Sequence, residues 1–193
     1  LTNQDAIDAS TQAVKDVVNQ PGDVSFVIDQ LLASAATNGD ALAGHIDTNM
    51  IAVLGHSLGG LTTVALTRKH CCGDARVKAT VLVAPATAVH ALLGPDPIQA
   101  GGPPTLLIQG SADKAVPYNS SLSFYQSIAP PHFFVGIPGA DHGEALQSQT
   151  EPPIAARAVA QAATIAFLDA IFRHDQQRLD SALAALQAAG NEI

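Results

Sequence analysis

Three residues of the sequence have the types and the chain order of a nucleophile, an acid and a base. Ser57 lies in Gly-His-Ser-Leu-Gly (residues 55–59), a G-x-S-x-G pattern, and Asp113 and His142 follow two later apolar runs. A serine hydroxyl is a weak nucleophile until a base removes its proton. This order therefore predicts that Ser57 attacks, that His142 acts as general base and then acid, and that Asp113 orients the imidazole.

The surroundings of Ser57 make the pattern specific. Residues 50–54 (MIAVL) are wholly apolar, as in a parallel strand that is covered on both faces. A helical segment is predicted from Leu58 to about His70, so a strand would turn sharply into a helix and expose the hydroxyl between them. The N–H groups at the start of that helix favour a developing oxyanion, and we expect Leu58 to supply one donor.

The elements around these residues predict an α/β fold, with a mostly parallel sheet flanked by helices, in one domain over residues 1–193. Further strands are expected at residues 77–84, 105–109 and 132–137, and the acid and the base follow the last two. Helices are predicted over 119–128, from Pro152-Pro153 onwards, and near 179–186. An earlier helix is predicted to be capped by Asp23 and to bury a stripe of apolar residues, namely Val24, Val27, Ile28, Leu31 and Ala35.

Other polar residues compete for the same roles. Asp141 is adjacent to His142, and because sequence neighbours rarely orient each other well, we interpret it as a loop-turn residue. His56 lies inside the turn and is expected to line the pocket. No histidine has the spacing of a metal motif such as H-E-x-x-H, so we expect no metal.

The predicted pocket lies at the carboxyl ends of the strands. Besides His56, we expect Ala86, Leu93 and Val116 to contact a substrate with a modest apolar group. The segment 86–102 is long and contains Gly and Pro, so it could overhang the site. In the alternative interpretation, Leu93 packs this loop down onto the protein.

Composition excludes several partner classes. The net charge of −8 disfavours nucleic acid and anionic membranes, and no apolar run approaches the roughly 18 residues of a membrane span. The only cysteines, Cys71 and Cys72, are adjacent, which fits two ordinary thiols near a helix end, a vicinal disulfide being the alternative. The chain starts at Leu1 without signal-peptide features, and we expect the natural N-terminus to lie upstream.

The chain resembles the α/β-hydrolases, and within them the bacterial relatives of platelet-activating factor acetylhydrolase, with dienelactone-hydrolase-like and chlorophyllase-like proteins as neighbours. The matching pieces are the segment 23–29 (DVSFVID), the turn at 55–60, Asp113 with Val116-Pro117, and Asp141-His142-Gly143. This resemblance implies a serine esterase without a cofactor, acting on short-chain acyl, aromatic or polyester substrates, and it favours a secreted or periplasmic location. Dienelactone hydrolases use a Cys nucleophile, whereas this chain has Ser57, so the resemblance does not imply their reaction.

The resemblance also identifies what residues 1–49 lack. In this family several strands precede the nucleophile strand, and a loop among them, typically with a His-Gly element, donates a second N–H to the oxyanion. Residues 1–49 contain no convincing strand, so the strand at 50–54 is expected at an edge of the sheet. An apolar edge must be covered, and we expect a homodimer partner or a missing N-terminal segment to pair with it.

Three functions remain open from the residues alone. The first is a serine esterase acting on a small-molecule ester. The second is a thioesterase or acyltransferase, because the same three residues serve any acyl acceptor. The third is a truncated, non-catalytic hydrolase-like module, which the missing donor supports and the complete Ser-Asp-His set opposes.

Overall fold

A four-stranded parallel sheet organises the chain in the computed structural model, which describes residues 3–146 and 155–193, and side chains from residue 16 onwards except those of 147–155. The strands lie side by side in chain order, and each is within two residues of its predicted position. Their bounds are β1 (Ile51–His56), β2 (Val77–Val83), β3 (Thr105–Gly110) and β4 (His132–Ile137).

Helices cover both faces of this sheet. They are α1 (Asn3–Ala36), α2 (Leu58–Arg68), α3 (Tyr118–Ser127), α4 (Ala155–Arg173) and α5 (Gln176–Ala188), with a 3-10 helix at Thr87–Leu93. Alternate strand residues face opposite sides: Val81 and Ile108 pack with Phe167 of α4, whereas Leu82 and Leu107 pack with α2 and α3. The predicted start of α4 at Pro152-Pro153 lies outside the described residues. None of the described helices is long and apolar enough to cross a membrane.

Helix α1 differs from the prediction. Asp23 does not cap it, because the helix begins at Asn3 and continues through Pro21. Its inward face is formed by Val17 and Ile28, which are buried, and by Val24 and Leu32, which are half-buried; they pack on α2 and on the sheet. The predicted stripe was therefore partly wrong, since two of its residues, Val27 and Leu31, are exposed.

A polar cluster fastens α1 to the start of β2. Arg76 forms ion pairs with Asp74 and with Asp29 of α1, and Ser25 of α1 donates a hydrogen bond of 3.0 Å to Asp74. The hydrogen bond from Arg76, which outweighs the opposing effect of burial, lowers the pKa of Asp74 to about 2. The carboxylate is thus ionised at neutral pH and helps to hold α1 against the sheet.

Two buried cations at the end of α2 hold the long loop that precedes β3. Arg68 donates to the carbonyl of Ala100 at 2.6 Å and to Thr105 Oγ1 at 2.8 Å, and burial lowers its pKa. Lys69 Nζ donates to the carbonyl of Leu93 at 3.1 Å. This part of the predicted overhanging segment is therefore tied down.

The two cysteines are not free thiols. Cys71 and Cys72 form a vicinal disulfide, so the alternative interpretation of their spacing describes the structure. The backbone N–H of Cys71 donates to Asp96 Oδ2 at 3.0 Å. The disulfide thus lies beside the loop that Arg68 and Lys69 hold.

The two edges of the sheet differ in cover. At β4, Gly136 forms an antiparallel bridge with Glu192, with N···O distances of 2.7 and 2.9 Å. On the side of β1 that faces away from β2, the described residues contain no strand, as expected, and Leu54 is 50% exposed. A groove of about 450 Å³ runs between β1, α1 and α2. The β1 edge and this groove form an apolar surface that the described residues leave open.

Candidate active site

The chain turns sharply at Ser57, between β1 and α2. Its backbone has φ 55° and ψ −120°, a conformation that a non-glycine residue adopts only at an energetic cost. The Ser57 N–H donates to the carbonyl of Val83 at 3.1 Å, and its carbonyl accepts from the N–H groups of Leu61 at 3.1 Å and Ala86 at 3.0 Å. Strand β2 and the residues after it therefore hold the turn in its strained form.

Two glycines make this turn sterically possible. A Cβ on Gly55 would overlap the carbonyl oxygen of Gly59 and the hydroxyl of Thr63, and a Cβ on Gly60 would lie 2.9 Å from Pro85 Cα. Gly59, in contrast, meets nothing within 4 Å. The close packing of β1 on α2, and of α2 on Pro85, therefore requires glycine at positions 55 and 60.

Asp113 and His142 meet at the carboxyl ends of β3 and β4. His142 Nδ1 donates to Asp113 Oδ2 at 2.8 Å, and the Asp113 side chain is fully buried while that of His142 is 27% exposed. Because Nδ1 carries the donated proton, the neutral ring keeps a lone pair on Nε2. The structure thus pairs the predicted acid with the predicted base in the tautomer that can accept a proton.

The carboxylate of Asp113 is held in its ionised form. Burial raises the pKa of Asp113, but hydrogen bonds from the N–H of Val116, from His142, from Gln109 and from the N–H of Ala115 outweigh this effect, and the pKa lies below its ordinary value. Asp113 is therefore a negative charge beside His142 across the neutral pH range.

His56 brings the base next to the turn. Its Nε2 donates to the backbone carbonyl of His142 at 2.7 Å, and the two ring centroids are 4.5 Å apart. Since Ser57 follows His56 directly, this contact places the His142 loop beside the predicted nucleophile. Asp141 accepts bonds from the N–H groups of Gly143 at 2.9 Å and Glu144 at 3.1 Å, as a loop-turn residue does.

Nearly the whole chain is similar to one known protein family. A family model described as PET hydrolase-like matches residues 6–186. The chain belongs to the PET hydrolase-like family. No curated protein shows a significant match to it.

Solved structures similar to this PET hydrolase-like chain share its fold. A thermophilic esterase from the planctomycete Thermogutta terrifontis, Est2, matches with a TM-score of 0.60 and 19% identity over 81% of this chain and 64% of the esterase chain. A structure of esterase 2 from the same organism phosphonylated by sarin matches with a TM-score of 0.56 and 19% identity, over 75% and 65% of the two chains. The predicted α/β-hydrolase fold is confirmed, and the chain spans just under two thirds of the length of these esterase chains.

The predicted pocket residues of the PET hydrolase-like chain have different surroundings. Ala86 is half-buried, and its N–H donates a hydrogen bond to the carbonyl of Ser57 at 3.0 Å. Val116 is buried, and its N–H holds Asp113 at 2.8 Å. Leu93 is 7% exposed and packs with Val17 and Leu61. The loop-packing interpretation of Leu93 is therefore the one that the structure supports, because α1 offers this side chain an apolar partner.

Two buried polar residues near Asp113 were not predicted from the sequence. Gln109 of β3 and Ser121 of α3 are fully buried and bond each other at 2.6 Å, and Gln109 also bonds Asp113 at 2.9 Å. A signal was present in the sequence, because a polar side chain at the end of the apolar run TLLIQ needs a buried partner.

A cleft of about 430 Å³ opens next to Ala86 in this family member. It is lined by the 3-10 helix, the loop before β3 and one face of α3, including Thr87, His90, Ser120, Ser123 and Phe124. Among the side chains that the structure describes, those of residues 16–146 and 156–193, no group of three or more His, Cys, Asp or Glu could hold a metal ion. The cleft begins at Thr87, directly after Ala86, whose N–H donates to the carbonyl of Ser57.

Proposed function

We propose that this chain hydrolyses carboxylic esters through an acyl-enzyme intermediate on Ser57. The observation that carries the proposal is the 2.8 Å hydrogen bond between His142 Nδ1 and Asp113 Oδ2, in a loop that His56 anchors beside the strained turn. Membership in the PET hydrolase-like family supports the same reaction.

The proposed chemistry assigns one proton path. Ser57 Oγ attacks the ester carbonyl carbon while His142 Nε2 takes its proton, and Asp113 stabilises the resulting imidazolium. The tetrahedral intermediate collapses, and His142 returns the proton to the leaving alcohol. Water then attacks the carbonyl carbon of acyl-Ser57 while His142 Nε2 takes a proton from the water. His142 returns this proton to Ser57 Oγ, and the carboxylic acid is released.

We assign one donor to the oxyanion of this proposal among the residues that the structure describes. Leu58 is the first residue of α2, so its N–H has no acceptor within the helix and faces the developing charge with the positive end of the helix dipole behind it. Loss of one oxyanion donor typically costs about 10²–10³ in rate. A second donor from outside these residues would therefore matter for full activity.

The substrate proposal is a short-chain acyl, aromatic or polyester ester. The family description names PET hydrolases, whose substrate is an aromatic polyester, and the half-buried Ala86 lies next to the turn. We propose Ala86, His56 and Val116 as the residues around the acyl group. No observation favours a thiol ester or an acyl acceptor other than water.

A chromogenic short-chain ester, such as p-nitrophenyl butyrate, tests the proposal. Ser57→Ala is expected to lower the rate by at least about 10⁴-fold, because binding and oxyanion contacts alone cannot replace the nucleophile. Ser181→Ala, at an exposed serine on helix α5, is the matched control. Equal rates for wild type and Ser57→Ala would refute the proposal and favour the non-catalytic module, which the single oxyanion donor supports.

The uncovered edge of β1 is assigned to an extended apolar segment outside these 193 residues. Leu54 of β1 is 50% exposed and Met50, directly before the strand, is 43% exposed. On α1, Phe26 and Val27 are 60% and 53% exposed, and the similar esterases are longer than this chain. A strand added there would satisfy the free backbone groups and bring a second donor towards Leu58.

Sedimentation of the 193-residue chain at micromolar concentration tests this assignment. We expect a monomer that binds the dye ANS at the open edge, with less binding after Leu54→Lys. A dimer that Leu54→Lys dissociates would show that a second copy covers the edge and would overturn the assignment.

A further inference from the structure

The side chain of Gln109 is a buried amide with a fixed orientation. Its Nε2 faces three acceptors, namely Asp113 Oδ2 at 2.9 Å and the carbonyls of Gly110 at 3.2 Å and Val116 at 3.3 Å. Its Oε1 faces the hydroxyl of Ser121 at 2.6 Å. A flipped amide would set an oxygen against two carbonyls and a carboxylate, none of which can donate, so the chemistry of the neighbours determines the orientation.

The two oxygens of Asp113 have separate tasks. Oδ1 accepts from the N–H groups of Ala115 and Val116, each at 2.8 Å. Oδ2 accepts from Gln109 at 2.9 Å and from His142 at 2.8 Å. A carboxylate offers about four lone-pair sites, so these four donors saturate it and fix its plane. Gln109 is the only side chain among these donors besides the base itself.

Ser121 links this arrangement to helix α3. Its side chain is fully buried, and its hydroxyl is the donor that occupies Gln109 Oε1. Without that donor the buried Oε1 would lose its hydrogen bond, and a buried polar atom without a partner is costly. The amide would then be held only by the acceptors around Nε2, and the direction of its bond to Asp113 would be less strictly fixed.

We propose that Gln109, oriented by Ser121, is a positioning residue that holds Asp113 Oδ2 in the direction from which it receives His142 Nδ1–H. The inference rests on the proposed function only in that ester hydrolysis is the reaction the pair serves. Neither residue touches the substrate, so they act on turnover through the geometry of the Asp113–His142 bond.

Two substitutions test the proposal by kinetics. Gln109→Met keeps the length of the side chain and removes both hydrogen-bonding groups, and we expect kcat to fall by about 10- to 100-fold with KM changed less than about 2-fold, since small misplacements of catalytic groups have effects of this size. Ser121→Ala is milder, with an expected loss of about 3- to 10-fold in kcat on the same grounds. Asn119→Ala, on an exposed position of α3, is the control and should match wild type.

A spectroscopic readout separates this proposal from the proposed function. The low-field proton NMR signal of His142 Nδ1–H, assigned by its loss in His142→Ala, should shift in both Gln109→Met and Ser121→Ala, whether or not the protein hydrolyses esters. Thermal unfolding identifies the temperatures at which each variant is folded. If Gln109→Met does not fold, Ser121→Ala alone carries the test. A folded variant with an unchanged signal, or one in which KM rises and kcat does not fall, would overturn the proposal.

Discussion

Replacing Asp113 with Asn is expected to lower kcat for ester hydrolysis by about 10⁴-fold while the protein stays folded. The reason lies in the hydrogen bond of 2.8 Å from His142 Nδ1 to Asp113 Oδ2. An amide can present its NH₂ group at that place, which favours the imidazole tautomer with the proton on Nε2. That tautomer cannot accept the proton of Ser57, and the imidazolium also loses its negative partner. The measurement is steady-state hydrolysis of p-nitrophenyl butyrate.

The control for this prediction is the neighbouring carboxylate. Asp141 Oδ1 accepts from two backbone N–H groups of its own loop, and the oxygen of Asn can accept the same bonds. Asp141→Asn should therefore keep activity within about 3-fold of wild type, because it alters a surface charge and not the hydrogen bonding of the pair. A large loss in Asp141→Asn together with an active Asp113→Asn would reverse the assignment of the acid.

The second large effect concerns the first glycine of the turn. Gly55→Ala is expected to lower the free energy of unfolding by at least about 3 kcal/mol, because overpacking against fixed atoms is relieved only by backbone movement. Here the added Cβ overlaps the carbonyl oxygen of Gly59, which cannot rotate away. Urea denaturation followed by circular dichroism measures the change.

Gly59→Ala is the matched control for the same motif. Gly59 lies in the first turn of α2 and a Cβ there meets nothing within 4 Å. Since Ala is a better helix former than Gly by about 1 kcal/mol, this variant should be as stable as wild type or slightly more stable. Equal unfolding midpoints for Gly55→Ala and wild type would mean that the turn is looser than the structure shows.

The sheet could be predicted from the sequence because each strand is a short apolar run between turn residues. The run at 132–137 coincides with β4, and the others differ by at most two residues. Parallel strands buried on both faces leave this local trace. The strand order needed the family resemblance, since apolar runs alone do not say which strands are neighbours.

Helix α1 shows that a periodic pattern of apolar residues does not predict which of them are buried. Val27 and Leu31 are apolar at helical spacing, yet they are exposed, whereas Val17 lies upstream of the predicted start and is buried. Periodicity indicates which face of a helix is apolar, but it does not say whether these 193 residues contain the surface that covers it. The same reason explains the open edge at Leu54.

In the candidate site, the residues that belong to sequence motifs could be predicted, whereas the residues that support them could not. Ser57, Asp113 and His142 each follow a strand in the order of a known architecture. Gln109 and Leu93 depend on packing: the first turns a polar side chain inward to bond Asp113, and the second joins a cluster with Val17 of α1. Neither contact has a fixed spacing in the chain.

The most direct test of the central claim is an intact mass spectrum of the folded protein after treatment with a fluorophosphonate probe. Only a serine whose proton is removed by a nearby base reacts readily, so we predict a single adduct on wild type, none on Ser57→Ala and a much slower reaction in Asp113→Asn. A folded wild type without an adduct, or an adduct that persists in Ser57→Ala, would contradict the claim that Ser57, His142 and Asp113 form an assembled catalytic site.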